Sequence, residues 1–325
     1  MHTVIVGAGG LGSVVGGYLA KAGYPVTLIA RLAHVKAIRD NGLEIAALDG
    51  RHLVREVQAT DNPKTVTTAE LLILSVKTYD TDEALKGVAH LSGRVRCALS
   101  LQNGMLKDKA LGVVFGLESV IGATTMIGAT LAGPGRVLYT APAITYVGEF
   151  DRRETDRVRA VAEMFGKAGL KAQIASDIRS ATWCKLNTIL PSASLSVLTR
   201  LEFHRVLKNR TLAALYVELA RECAQLAKAK GIPLNDFPGF EVKTVCEAPM
   251  EEAAAFLQEQ GRRMEEAGMT NVKISMLQDI ERGKRTEVEA IIGYVVREAA
   301  RLEIQVPKID LIYRLVKGVS EAVRH

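Results

Sequence analysis

Residues Gly7-Ala8-Gly9-Gly10-Leu11-Gly12 place glycine at the spacing G-x-G-x-x-G, directly after the apolar run Thr3–Val6 and before a small-residue segment. At that spacing a backbone can cradle a pyrophosphate. The first glycine permits a tight turn, the second lets the chain approach the phosphates, and the third lets the next helix pack on the strand. The helix N-terminus adds unsatisfied N–H groups and the positive end of its dipole. A glycine-rich turn without a ligand is the competing explanation; the strand before and the helix after weigh against it. The second apolar run, Val26–Ala30, ends at Arg31, and no Asp or Glu precedes Asp40. A carboxylate at that strand end would bind a ribose 2′-hydroxyl, whereas a guanidinium pairs with a 2′-phosphate. The expected cofactor is therefore NADP(H) rather than NAD(H), with a solvated surface arginine as the alternative.

A reductase using such a cofactor needs a proton donor for the carbonyl oxygen and groups that orient the substrate. Lys185 in Trp183-Cys184-Lys185-Leu186-Asn187, Ser275 ahead of Met276-Leu277-Gln278-Asp279, and Glu287 in Thr286-Glu287-Val288-Glu289 have the right chemistry. Spacing alone does not separate them from a solvated lysine and two helix caps.

These residues need elements to hold them. Thr3–Val6, Pro25–Ala30, Leu71–Val76 and Arg96–Leu101 have the length and apolar character of buried parallel strands. Gly10–Ala22, closed by Gly23, reads as the helix between the first two. Val120–Ile127, Arg136–Thr140 and Thr145–Gly148 follow as strands, with turn chemistry at Gly133–Gly135. A helix over Arg153–Ala168 and a strand over Ala172–Ala175 finish the pattern. Past Ser176 strands are no longer signalled. Asp177 can cap a helix through Lys185, Asn209–Lys230 is amphipathic and ends at Gly231, and Thr286 with Glu289 forms a capping-box pattern. Pro307 opens the last helix, and Pro249–Gly268 reads as an exposed helical insertion. The expected architecture is α/β: an N-terminal Rossmann-type, doubly wound domain over residues 1–176, then an all-α C-terminal domain over 177–325.

Taken in order, Val6–Gly12, Ile29–Arg31, Ser75-Val76-Lys77, Leu101-Gln102-Asn103-Gly104, Gly122–Gly135, Trp183–Leu186, and Ser275–Asp279 with Thr286-Glu287-Val288 resemble the ketopantoate reductase family over nearly the whole chain. The resemblance implies NADPH-dependent reduction of 2-dehydropantoate to (R)-pantoate, on the route to pantothenate and coenzyme A. It implies that Lys185 donates the proton and Glu287 lies near the substrate hydroxyl and cofactor ribose. Ser275 would hold the substrate, and Lys77 and Asn103 would line the nicotinamide end, with Asn103 also against the substrate. Ala129 would give a backbone contact to the cofactor. The implied site lies in a cleft between the domains. The chain departs from the family pattern at Ile189, Ala193 and Ile292, where asparagine is usual. Thr188 and Ser192 share the face of Lys185 and could substitute; Asn187 points elsewhere on a regular helix. The departures keep open a paralogous reductase of another 2-keto acid or imine. A catalytically degenerate NADPH sensor is the reading from a different class, against which Lys185 and Glu287 stand.

Composition fits this picture. The 325 residues are 48% hydrophobic and 24% charged, enough for two cores, with a formal charge of +6 that can draw in anionic ligands. Basic residues occur only in short pairs beside acids, as at Arg152-Arg153-Glu154, so no nucleic-acid partner is expected. The uncharged stretch Thr3–Ala20 is too rich in glycine for a bilayer helix, and neither a signal peptide nor a membrane partner is expected. Cys97, Cys184, Cys223 and Cys246 form no C-x-x-C and read as reduced packing residues of a cytoplasmic protein, although Cys184 adjoins Lys185. The expected partner is a small 2-keto acid, with a homodimer plausible and no metal.

Overall fold

The β-branched runs near the start of the chain become parallel strands in the computed structural model, which describes residues 1–323. The chain divides into a first compact unit, Met1–Arg179, and a second that begins at Ser180. The first unit opens with β1 (Thr3–Val6), α1 (Gly10–Lys21), β2 (Val26–Ile29), α2 (Leu32–Asn41), β3 (Leu43–Ala47), β4 (Gly50–Val54) and β5 (Gln58–Thr60). It continues through β6 (Ala69–Leu74), α3 (Thr81–Val88), β7 (Val95–Ser100), α4 (Lys107–Phe115), β8 (Gly122–Thr125) and β9 (Gly128–Gly133). Then come β10 (Arg136–Ala141), β11 (Thr145–Gly148), α5 (Asp156–Lys167), β12 (Ala172–Ile174) and the start of α6 (Ile178–Thr199).

The main sheet has the order β5-β2-β1-β6-β7, with all pairings parallel. Its side chains alternate between two cores: Ile5, Leu28, Ile73 and Leu99 on one face, Val4, Val6, Leu72 and Leu74 on the other. Burial on both faces is why these strands read as continuous apolar runs. The Ile121 N–H donates to the Ala98 carbonyl at 3.0 Å and carries the pairing on toward β8, which belongs to a sheet of order β12-β11-β8.

A separate sheet, β4-β3-β10-β9, covers α1 from the other side. The helix contains Gly10, Gly12, Gly16 and Gly17, a composition costing roughly 1 kcal/mol per glycine relative to alanine. Packing on two sheets explains them. A Cβ at Gly16 would fall 2.5 Å from Leu28 on the main sheet, and one at Gly17 would fall 2.5 Å from Ile45 on the other. The sequence reading missed β3, β4, β5 and β9, and it drew β8 too long at Val120–Ile127. The missed strands are short, and β4 is exposed at Gly50, Arg51 and Leu53, so it lacks the apolar run that marks the main sheet.

The second unit contains the rest of α6, then α7 (Phe203–Lys208), α8 (Arg210–Ala229), the two-residue strands β13 (Asp236–Phe237) and β14 (Phe240–Glu241), and α9 (Val242–Glu247). It ends with α10 (Met250–Glu266), α11 (Ser275–Glu281), α12 (Val288–Arg301) and α13 (Pro307–Ala322). Asp177 accepts the Arg179 N–H at 3.0 Å, capping α6, and Asn209 accepts the Leu212 N–H at 3.1 Å, capping α8. Pro191 sits inside α6, where it has no N–H to donate. One turn back, the Thr188 carbonyl accepts Ser192 Oγ at 2.9 Å and the Tyr216 hydroxyl at 3.0 Å.

Two expectations fail here. Residues 249–268 are not an exposed insertion, because α10 buries Ala253, Ala254, Leu257 and Gly261 against α7 and α8. The capping box at Thr286 does not form. The α12 helix begins one residue later than expected, with Glu287 in the cap position. Thr286 Oγ1 accepts the Val288 N–H at a long 3.4 Å and pairs with Ser320 Oγ at 2.8 Å, while Glu289 turns away to Arg297 and Tyr313.

Candidate functional site

In the first unit the glycine loop is fixed to the end of β2. The N–H groups of Gly7 and Ala8 both donate to the Ile29 carbonyl at 3.0 Å, two residues before Arg31. Gly7 has φ +94°, and a Cβ there would fall 2.7 Å from the Val76 amide nitrogen, so only glycine fits. At Gly9 a Cβ would meet nothing within 4 Å, which leaves the outer side of the turn open to a ligand. No side chain caps α1 and its first turn holds no acid, so the N–H groups of Gly10, Leu11 and Gly12 face the helix end without a side-chain partner. This is a cradle for an anionic group.

The other expected cofactor residues of this unit lie on β9 and after strands of the main sheet. Ala129 on β9 crosses the start of α1, where a Cβ on Gly10 would fall 2.8 Å from the Ala129 carbonyl oxygen. Arg31 occupies the cap position of α2 with a side chain 95% exposed, and it approaches Asp80 no closer than 4.0 Å. An exposed pair at that distance contributes little, so the guanidinium can engage another anion. Lys77 and Asn103 are both half-buried and follow β6 and β7 on adjacent strand ends of the main sheet.

Three polar residues that the sequence reading did not single out hold this edge together. His34 is buried; its Nδ1 accepts the Gly135 N–H at 2.9 Å, so Nε2 carries the proton and donates to Ser13 Oγ at 3.0 Å. Ser13 Oγ donates in turn to the Ala8 carbonyl at 3.2 Å. Burial holds the His34 imidazole below its usual pKa, keeping it neutral. Gln102 donates from Nε2 to the Val76 carbonyl at 2.9 Å. Lys107 is buried at the head of α4, and its Nζ donates to the Ser100 carbonyl at 3.0 Å, the Ala123 carbonyl at 2.5 Å and Asp108 at 3.2 Å. It thus joins the ends of β7 and β8. Burial raises the Asp108 carboxyl even though Lys107 opposes the shift.

In the second unit Lys185 lies on α6 at 6% exposure. The helix packs on α12 through Trp183 and Tyr294, whose rings are 6.4 Å apart, and on α8 through Asn187, whose amide donates to the Ala220 carbonyl at 2.8 Å. Asn187 is therefore committed to packing. Thr188 Oγ1 donates to the Cys184 carbonyl at 3.0 Å, and Ser192 Oγ donates to its own helix as well. Glu287, 5% exposed, sits at the foot of α12, and Ser275 is the half-buried first residue of α11. All four cysteines are free thiols; Cys184 donates to the Asn235 carbonyl at 3.2 Å, and burial pushes Cys246 up to about 12. Among the described residues, no cluster of three or more His, Cys, Asp or Glu could hold a metal ion. No described helix is long and apolar enough to cross a membrane.

Comparison with known proteins adds to this geometry. Residues 3–152 match the family model "Ketopantoate reductase PanE/ApbA", and residues 177–320 match "Ketopantoate reductase PanE/ApbA C terminal". The chain is 31% identical to the 2-dehydropantoate 2-reductase of Archaeoglobus fulgidus, with 98% of each chain covered. It is 32% identical to that of Pyrococcus abyssi, covering 98% of this chain and 97% of the relative. The crystal structure of a PanE/ApbA family ketopantoate reductase from Ralstonia eutropha JMP134 aligns over 100% of both chains with a TM-score of 0.83 at 29% identity.

Proposed function

The chain belongs to the ketopantoate reductase family, and on that premise we propose that it reduces 2-dehydropantoate to (R)-pantoate with NADPH, a step toward pantothenate and coenzyme A. The observation that carries the reading is the uncapped N-terminus of α1, with open space beside Gly9 and the exposed Arg31 at the end of the neighbouring strand. In this reading residues 1–176 hold the cofactor and residues 177–325 supply the groups that act on the substrate.

When bound, the reduced dinucleotide supplies a hydride to the keto carbon. Gly7, Ala8, Gly9, Gly10, Leu11 and Gly12 take the pyrophosphate, and Arg31 pairs with the 2′-phosphate. Lys77 and Asn103 line the nicotinamide end, and Ala129 contributes a backbone contact. The Lys185 ammonium hydrogen-bonds the keto oxygen, stabilises the negative charge that develops there and donates the proton that completes the hydroxyl. Its burial strengthens that interaction, because a charge in a site of low dielectric acts more strongly than in water. Glu287 accepts from the substrate hydroxyl, and Ser275 and Asn103 orient the rest of the molecule.

Mixing the purified protein with NADPH and 2-dehydropantoate and following the nicotinamide absorbance tests the proposal. Steady oxidation of NADPH, with pantoate formed in equal amount, is expected. A protein that binds NADPH and leaves 2-dehydropantoate untouched would overturn it.

A further inference from the structure

Gln102 lies between the end of β7 and Asn103, is 4% exposed, and uses both donors and the oxygen of its side-chain amide. Nε2 donates to the Val76 carbonyl at 2.9 Å and to Thr81 Oγ1 at 2.8 Å; Oε1 accepts from Ser100 Oγ at 3.0 Å. The Val76 carbonyl can only accept, so the nitrogen must face it and the amide has one possible orientation. Its main-chain N–H donates to Ser100 Oγ at 3.2 Å, tightening the turn off β7. One side chain therefore fastens the β7 end to the segment after β6 and to the start of α3.

Both residues at the ends of this tie matter for the site. Val76 is the residue against which Gly7 packs, and Lys77 comes directly after it. Asn103 comes directly after Gln102. The tie therefore sets the spacing between the loop that carries Lys77 and the loop that carries Asn103, and it seats Val76 under the glycine turn. Leaving two buried donors without acceptors, or the Val76 carbonyl without a donor, would cost enough to favour another loop arrangement.

We propose that Gln102 is a positioning residue for the reaction, holding Lys77 and Asn103 in the register from which they meet the nicotinamide end and the substrate; this rests on the roles given to those two residues above. Misplacement of a reacting group by about 1 Å can lower a rate on the order of 100-fold, so loss of the tie should be visible in the chemical step.

The test compares the full-length parent with Gln102→Met, which keeps the length and loses all three bonds, and with Thr81→Val, which removes one acceptor. Turnover is measured with NADPH and with NADPH deuterated at the transferred position. Gln102→Met should lower kcat by about 10- to 100-fold and enlarge the isotope effect on kcat, with Thr81→Val between it and the parent. A purely structural role would reduce the active fraction and leave KM and the isotope effect unchanged, which would overturn the inference. The nicotinamide emission of bound NADPH gives a second readout independent of turnover. Its enhancement should fall in Gln102→Met while the dissociation constant stays within about threefold, since the phosphate contacts remain; an unchanged enhancement would count against the inference. If the parent binds NADPH but does not turn over 2-dehydropantoate, the functional reading fails and the emission arm alone decides the role of Gln102.

Discussion

The ring of His34 reaches Ser13 across the start of α1, with Nε2 3.0 Å from the serine hydroxyl, and Ser13 passes the hydrogen bond on to the Ala8 carbonyl of the glycine loop. The first turn of α2 and the glycine loop are thus coupled through a buried, neutral imidazole. Protonation would put a hydrogen on Nδ1, directly against the Gly135 N–H it now accepts. Burial depresses the His34 pKa in the folded chain, so the unfolded chain binds the proton first as pH falls. The stability from neutral His34 is complete above the unfolded pKa, about 6.5, and is lost as pH falls from there through the lower folded value. Thermal melts of the parent should show this loss below about pH 6.5. His34→Phe should flatten that slope and lower stability near neutral pH by about 1–3 kcal/mol for the stranded Gly135 N–H. A slope identical in the two proteins would remove His34 as its source.

Arg31 and the glycine loop make separable predictions about the cofactor. The Arg31 side chain is 95% exposed and its approach to Asp80 is long, so Arg31→Ala should leave the fold intact. A charge-assisted hydrogen bond is worth about 1.5–3 kcal/mol, or roughly 10- to 100-fold in affinity. Arg31→Ala should weaken NADPH by about that factor and NADH by less than about twofold. Titration of both nucleotides by nicotinamide fluorescence checks this, and equal losses would mean that Arg31 does not read the 2′-phosphate.

The same contrast shows what the sequence could reveal. Gly7, Gly9, Gly12 and Arg31 are legible because their chemistry is local: a turn, a helix end and a strand end within a few dozen residues. His34 was not, since its partners Ser13 and Gly135 lie 21 and 101 residues away and only the fold brings them together. The α10 helix was misread because its small buried residues, Ala253, Ala254 and Gly261, give a weak apolar stripe among many charges. Its buried face is defined by close approach: a Cβ on Gly261 would fall 2.8 Å from the His204 carbonyl oxygen. Lys107 was hidden for a third reason. Within Lys107-Asp108-Lys109 it looks like part of a solvated charge run, yet its side chain is only 2% exposed.

That buried lysine predicts a stability effect. Its Nζ bonds the Ser100 and Ala123 carbonyls and Asp108, so Lys107→Met strands two carbonyls and a largely buried carboxyl, 16% exposed, at once. Breaking a buried ion pair by removing one partner costs about 3–5 kcal/mol. Urea unfolding of Lys107→Met should show a midpoint lowered to match, with the slope unchanged. Replacing Lys109, an exposed neighbour, by Met should change stability by less than about 0.5 kcal/mol. Similar losses at the two positions would contradict the buried role.

Lys185 and Asn187 are two residues apart on α6 and should separate function from packing. Asn187 donates to the Ala220 carbonyl in the interior of the second unit, so Asn187→Ala should cost about 1–3 kcal/mol of stability and leave kcat per folded molecule nearly unchanged. Lys185, as the proposed proton donor, should behave in the opposite way. Lys185→Ala removes general-acid catalysis, worth roughly 100- to 10,000-fold, together with a charge that stabilises the developing alkoxide. The loss should appear equally in kcat and kcat/KM if the interaction is made mainly in the transition state. NADPH affinity should persist, since the proposed phosphate contacts come from the loop before α1 and from Arg31 after β2. Stopped-flow single turnovers alongside NADPH titrations distinguish the cases: a Lys185→Ala protein that reduces 2-dehydropantoate within about tenfold of the parent rate would leave the proton to be donated by another group.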